Sequence, residues 1–109
     1  MIEIGQYRQN LSNALIRNMV VKKLYLFGSA LTPRFNEQSS DIDVLIETDD
    51  LQPEQKGELL LTLWEDLERI FGRKVDLLTE NSLTNPYLLK EIERTKKLIY
   101  DGQSKQILI

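Results

Sequence analysis

The sequence contains no cysteine and no histidine. Those two absences exclude disulfides, thiol nucleophiles, zinc sites built from Cys or His, and any reaction that needs an imidazole base. Carboxylates, hydroxyls, Lys, Arg and backbone amides are what remain for chemistry. Apolar runs are short, as at Leu59-Leu60-Leu61, so no segment reads as a membrane span. The start, Met1-Ile2-Glu3-Ile4-Gly5, lacks a basic stretch followed by an apolar one, and a soluble cytoplasmic protein is the expectation. Basic charge is also scarce, with 14 Lys+Arg against 17 Asp+Glu for a net charge of −3 and no long basic block. Direct nucleic-acid binding through the phosphate backbone is therefore not expected.

What is present fits one small domain. A chain of 109 residues with 41% hydrophobic residues makes a globule with a radius of gyration of roughly 13 Å, too small for a separate substrate domain. Ile4, Tyr7, Leu11, Leu15 and Met19 recur at three- and four-residue intervals and predict a first amphipathic helix over 4–19. Lys22 to Phe27 is short and apolar, runs into Gly28, and predicts a strand buried on both faces. Residues 30–40 have no sustained period and read as a loop with room for a short helical turn. Asp41 to Glu47, with β-branched Ile42, Val44 and Ile46, predicts strand two.

Pro53 suits a first helical turn, and Leu60, Leu63, Trp64, Leu67, Ile70 and Phe71 give one long apolar face up to a stop at Gly72. Arg73 to Thr79, bounded by Gly72 and by Glu80-Asn81-Ser82, predicts strand three. Asn85-Pro86 opens a last helix on which Leu88, Leu89, Ile92 and Thr95 share a side. Lys97 to Tyr100 fits either the end of that helix or an edge strand. The expected fold is α/β (α+β), a small mixed β-sheet flanked by helices. The domain spans 1–102 and a C-terminal tail 103–109.

Three features can carry chemistry. Gly28-Ser29 closes strand one; a glycine there lets a phosphate approach backbone N–H groups and the serine adds a hydroxyl, although the same dipeptide also makes an ordinary turn. Asp41 and Asp43 stand two apart, on one face of a strand, roughly 6.5–7 Å from each other along it. They can converge on Mg²⁺, a hard cation that takes oxygen ligands, or remain as solvated acids at a strand start. Asp76 interrupts the apolar strand Val75-Asp76-Leu77-Leu78. A buried carboxylate there needs a cation or a basic partner such as Arg69, Arg73 or Lys74, and it also has the chemistry to take a proton from an attacking hydroxyl.

Together, Leu26-Phe27-Gly28-Ser29 and Ser40-Asp41-Ile42-Asp43-Val44-Leu45-Ile46 closely resemble the Gly-Ser … Asp-x-Asp signature of the DNA polymerase β-like nucleotidyltransferase superfamily. Phe71 to Leu78 and Asn85-Pro86-Tyr87-Leu88 are similar to its small bacterial and archaeal branch, the minimal nucleotidyltransferases. The resemblance spans about residues 5–101. It implies that Gly28 and Ser29 hold the triphosphate, that Asp41 and Asp43 bind two Mg²⁺ ions, and that Asp76 is the third carboxylate of the catalytic metal. The reaction it implies moves AMP from ATP to a hydroxyl. The acceptor it implies is a tyrosine of a HEPN-type helical toxin whose antitoxin this chain would be, with a homodimer also open. A non-catalytic module that binds nucleotide and neutralises a partner by occlusion is the other reading. Two differences from the family pattern stand out. Ala30 and Pro33 occupy positions where relatives often carry Arg and Gly, and the loop from Ser29 to Asp41 is one residue longer. Arg34 is the nearest basic residue able to replace the missing arginine, an exposed loop arginine being the alternative.

Overall fold

The computed structural model describes residues 2–17, 20–36, 38–80 and 84–108; Met19, Asn81, Ser82 and Ile109, which figure in the sequence reading, lie outside them. The elements run α1 (Arg8–Ile16), β1 (Val21–Phe27), β2 (Ile42–Thr48), α2 (Pro53–Phe71), β3 (Val75–Thr79), α3 (Pro86–Thr95), β4 (Lys97–Asp101) and β5 (Gln106–Ile107). The first helix is shorter than its apolar stripe predicts. Ile4–Tyr7 forms a 3₁₀ turn with no capping side chain at Glu3, and the α-helix starts at Arg8. Apolar residues spaced three apart suit either kind of helix, so the stripe continues across the change.

The strands form one sheet in the order β3-β2-β1-β4-β5. β1 is antiparallel to both β2 and β4, whereas β2 and β3 are parallel. A parallel pair needs a long crossover, and α2 supplies it with 19 residues. Its ends are set locally: Pro53 occupies the first turn, the Gln52 amide donates to the Gln55 side chain at 3.3 Å, and Gly72 closes the helix at φ +64°. That left-handed conformation favours glycine.

Alternation along the strands separates two apolar clusters. Leu24, Leu26, Val44, Ile46 and Val75 face α1 and α2 and pack with Leu11, Leu15, Leu63, Leu67 and Phe71. Tyr25, Phe27 and Leu45 face the other way and pack with Ile92 of α3. Asn85 caps α3, its side chain accepting from the amides of Tyr87 (2.9 Å) and Leu88 (3.3 Å). Residues 97–101 are strand rather than helix, because the backbone turns extended at Lys96 (ψ 146°) and Ile99 and Tyr100 become buried beside β1. Beyond them Gln106 and Ile107, in the segment read as a tail, pair with Asp101 and Tyr100. No helix among the described residues is long and apolar enough to cross a membrane.

Candidate active site

Two junctions bring the candidate residues together. At the first, β1 ends at Phe27 and the chain turns at Gly28 with φ +73° into a 3₁₀ turn, Gly28–Leu31. The turn is held by Thr32, whose amide and hydroxyl both donate to the Ser29 carbonyl, at 3.0 and 2.9 Å. At the second junction the Ile42 amide donates to the Lys74 carbonyl at 3.0 Å, which fixes where β2 and β3 begin to pair. The Trp64 indole donates to the Val75 carbonyl at 2.8 Å, and the Val75 amide donates to the Glu68 carboxylate at 3.0 Å. The long helix thus anchors the strand that bears Asp76.

The register that follows sets Asp43 directly beside Asp76 on β3 and beside Phe27 on β1. Asp43 also lies against Gly28: a Cβ added at that glycine would collide with its carboxylate oxygen. Glycine is therefore required twice at position 28, for its φ and for the close approach. Burial pushes the Asp43 carboxyl up to about 6, with further upward pushes from the charge of Asp76, a hydrogen bond with it, and the charge of Asp41. Like-charged carboxylates held together oppose one another's ionisation.

Asp41 stands one residue before β2, which starts at Ile42, and its charge is felt at Asp43. Asp76 departs from expectation, because its side chain is half exposed and not buried. Of the three proposed partners, Arg69 pairs with Asp66 and Arg73 lies over the Phe35 ring, 5.0 Å from its centroid. Lys74 is the one that meets the carboxylates, with its Nζ 4.0 Å from Asp41 and 3.9 Å from Asp76.

A cavity of about 560 Å³ adjoins the cluster, a size that suits a nucleotide-sized ligand. Gly28, Ser29 and Asp43 form its polar end, and Arg34 and Thr32 also line it. Its apolar wall includes Phe27, Leu31, Leu88 and Ile92, with Glu91 and Thr95 alongside. The sequence reading places Leu88 and Ile92 on one side of this helix and assigns neither to the site. The available signal is the apolar Leu88 in the first turn after an Asn-Pro cap; it is 44% exposed. Ala30, the residue after Gly28-Ser29, is fully buried in the main core, whereas Arg34 lines the cavity.

The donor set is carboxylate oxygen throughout, which fits a hard divalent cation such as Mg²⁺. Among the described residues no three acids converge tightly enough to make a closed cation cage. An open cluster suits Mg²⁺, which usually keeps water and substrate phosphate oxygens in its shell.

Comparisons with known proteins bear on the family and the fold. The family model "Polymerase beta, Nucleotidyltransferase" matches residues 9–105. The chain is 45% identical over 80 residues to the "Putative protein adenylyltransferase MJ1379" of Methanocaldococcus jannaschii, covering 73% of this chain and 76% of that one. Among solved structures, a chain of a toxin–antitoxin complex with AMP-PNP aligns with a TM-score of 0.56 at 22% identity, over 86% of this chain and 77% of that chain. A chain from the complex of a tri-AMPylated Shewanella oneidensis HEPN toxin with MNT antitoxin aligns with a TM-score of 0.50 at 24% identity, over 88% and 74%. At those identities the structural likeness speaks to the fold alone.

Proposed function

The chain belongs to the polymerase β nucleotidyltransferase family and is a nucleotidyltransferase, and from that premise we propose that it moves AMP from ATP to a tyrosine hydroxyl of a HEPN-type toxin, as that toxin's antitoxin. The observation that carries this reading is the register of Asp43 beside Asp76, next to a glycine turn that opens on a nucleotide-sized cavity. The relative named for adenylyl transfer supports the donor, as does the AMP-PNP complex of the same fold. The HEPN complex supports the partner.

In this reading Gly28 and Ser29 receive the triphosphate through backbone N–H groups and the serine hydroxyl. Arg34 takes the phosphate contact that an arginine after Gly-Ser would otherwise make. The wall of Phe27, Leu31, Leu88 and Ile92 shields the nucleoside from water. Asp41, Asp43 and Asp76 would hold Mg²⁺, two ions in the full complex, which supplies positive charge against the phosphates when bound. The acceptor oxygen forms a bond to the α-phosphorus as the bond to pyrophosphate breaks, and Asp76 accepts the hydroxyl proton. Holding the acceptor and the α-phosphate in line supplies much of the rate.

The test follows α-labelled ATP with Mg²⁺ into proteins of a source-cell lysate, comparing the wild type with Asp43→Asn. The expected result is a labelled band with the wild type, falling by about a thousandfold with the variant, a loss on the scale of removing an electrostatic catalytic group. Absence of label with each of the four nucleoside triphosphates would overturn the reading. Full neutralisation of the toxin by Asp43→Asn would replace it with occlusion.

A further inference from the structure

The three carboxylates of the site repel one another, yet the ammonium of one side chain stands between two of them. Lys74 Nζ is 4.0 Å from Asp41 and 3.9 Å from Asp76. The backbone beneath it is pinned, since the Lys74 carbonyl accepts from the Ile42 amide. The side chain itself is 67% exposed and can swing away. Both separations exceed hydrogen-bond length, so the ammonium is shared between the two acids and locked to neither.

We infer that Lys74 is a built-in counter-charge of this site, a placeholder that a divalent cation must displace from Asp41 and Asp76 before those oxygens can serve it. The inference rests on the reading of these carboxylates as a cation site. The other basic residues weighed as partners of Asp76 are committed elsewhere, Arg73 to the Phe35 ring and Arg69 to Asp66, while Arg34 lines the cavity beside Asp43. Lys74 is thus a positioning residue. It holds the outer acids together while no cation is bound and competes with the cation for them. A lysine suits that task because its ammonium is compact, strongly hydrated and carried on a flexible stem.

The experiment titrates the full chain with Mn²⁺, followed by calorimetry, for the wild type, Lys74→Met, Lys74→Arg and Lys22→Met. Exposed ion pairs are individually weak, and the loss of two should tighten Mn²⁺ binding by Lys74→Met about threefold to tenfold. Lys74→Arg keeps the charge and should stay within about twofold of the wild type, as should Lys22→Met, which removes the same charge at a distance. Thermal unfolding gives a second readout: metal-free Lys74→Met should melt below the wild type, and Mn²⁺ should raise its midpoint by more. Equal Mn²⁺ affinity for wild type and Lys74→Met would overturn the inference and leave the carboxylate site standing, as would equal tightening by Lys22→Met. Binding by neither protein would overturn both.

Discussion

The two faces of the sheet are built for different tasks. One face lies under α1 and α2, and Leu24, Leu26, Val44 and Ile46 are each no more than 1% exposed there. The other face has α3 as its helical cover, with a four-residue buried cluster of Tyr25, Phe27, Leu45 and Ile92. Asp43 and Asp76 are on this second face, where the cavity opens. The sequence of β2 states the division in alternate residues: Val44 and Ile46 go to the core, Asp43 and Leu45 to the site side. A transferase needs both. The thick face fixes the strands rigidly, and the thin one leaves the carboxylates accessible to nucleotide and acceptor.

The largest effect that tests this contrast comes from truncating a leucine on each side. Leu67 is fully buried against the main core, and Leu67→Ala should cost about 2–5 kcal/mol of stability in denaturant unfolding. Leu88 lines the cavity and is 44% exposed. Leu88→Ala should change stability by no more than about 0.5 kcal/mol, while weakening the binding of a fluorescent ATP analogue. Equal destabilisation by the two variants would make the second face a core like the first.

The next effect compares two glycines, both in the left-handed region. Gly72 ends α2 with open space where a Cβ would go, so Gly72→Ala should cost only the backbone strain of about 1–2 kcal/mol and leave transfer intact. Gly28→Ala adds a collision with the Asp43 carboxylate. It should cost about 1–3 kcal/mol and reduce transfer roughly a hundredfold, since small displacements of reacting groups are that expensive. Comparable transfer by the two variants would show that Asp43 tolerates displacement.

Much of this architecture is legible in the sequence because its signals are local. Pro53 and Gly72 bound α2 at the residues that the helix uses, and Asn85 caps α3 as its side-chain chemistry dictates. Gly28-Ser29 marks the end of β1, where the 3₁₀ turn begins. What the residues by themselves leave open are contacts between partners distant in sequence. The pairing of Asp43 with Asp76 depends on a register set across the α2 crossover, which neither strand encodes alone. Lys74 is one of three basic partners that the sequence offers to Asp76, and only the folded geometry selects it and adds Asp41 as its second neighbour. Lys97 to Tyr100 suits a helix end or a strand equally in its own residues, and pairing with β1 decides between them.

The smallest expected effect reports how well α3 shields the second face. Tyr25 lies there with the Lys96 ammonium 4.1 Å from its ring centre, and Glu47 follows on the same side. Burial pushes its phenol up to about 12, with the charge and hydrogen bond of Glu47 and the charges of Glu93 and Glu80 adding to the rise. A phenol that holds its proton more tightly in the folded state stabilises the protein fully below the ordinary tyrosine value of 10.0. That contribution is lost as pH rises through about 12. The loss should be on the order of 1 kcal/mol after solvent screening, read as a fall in the denaturant midpoint that Tyr25→Phe lacks. Absorbance at the phenolate band, taken as wild type minus Tyr25→Phe, should give the same midpoint directly, and Glu47→Gln should lower it. A midpoint near 10 would mean that water reaches the phenol freely, and that the second face is more open than the packing of Tyr25, Leu45 and Ile92 allows.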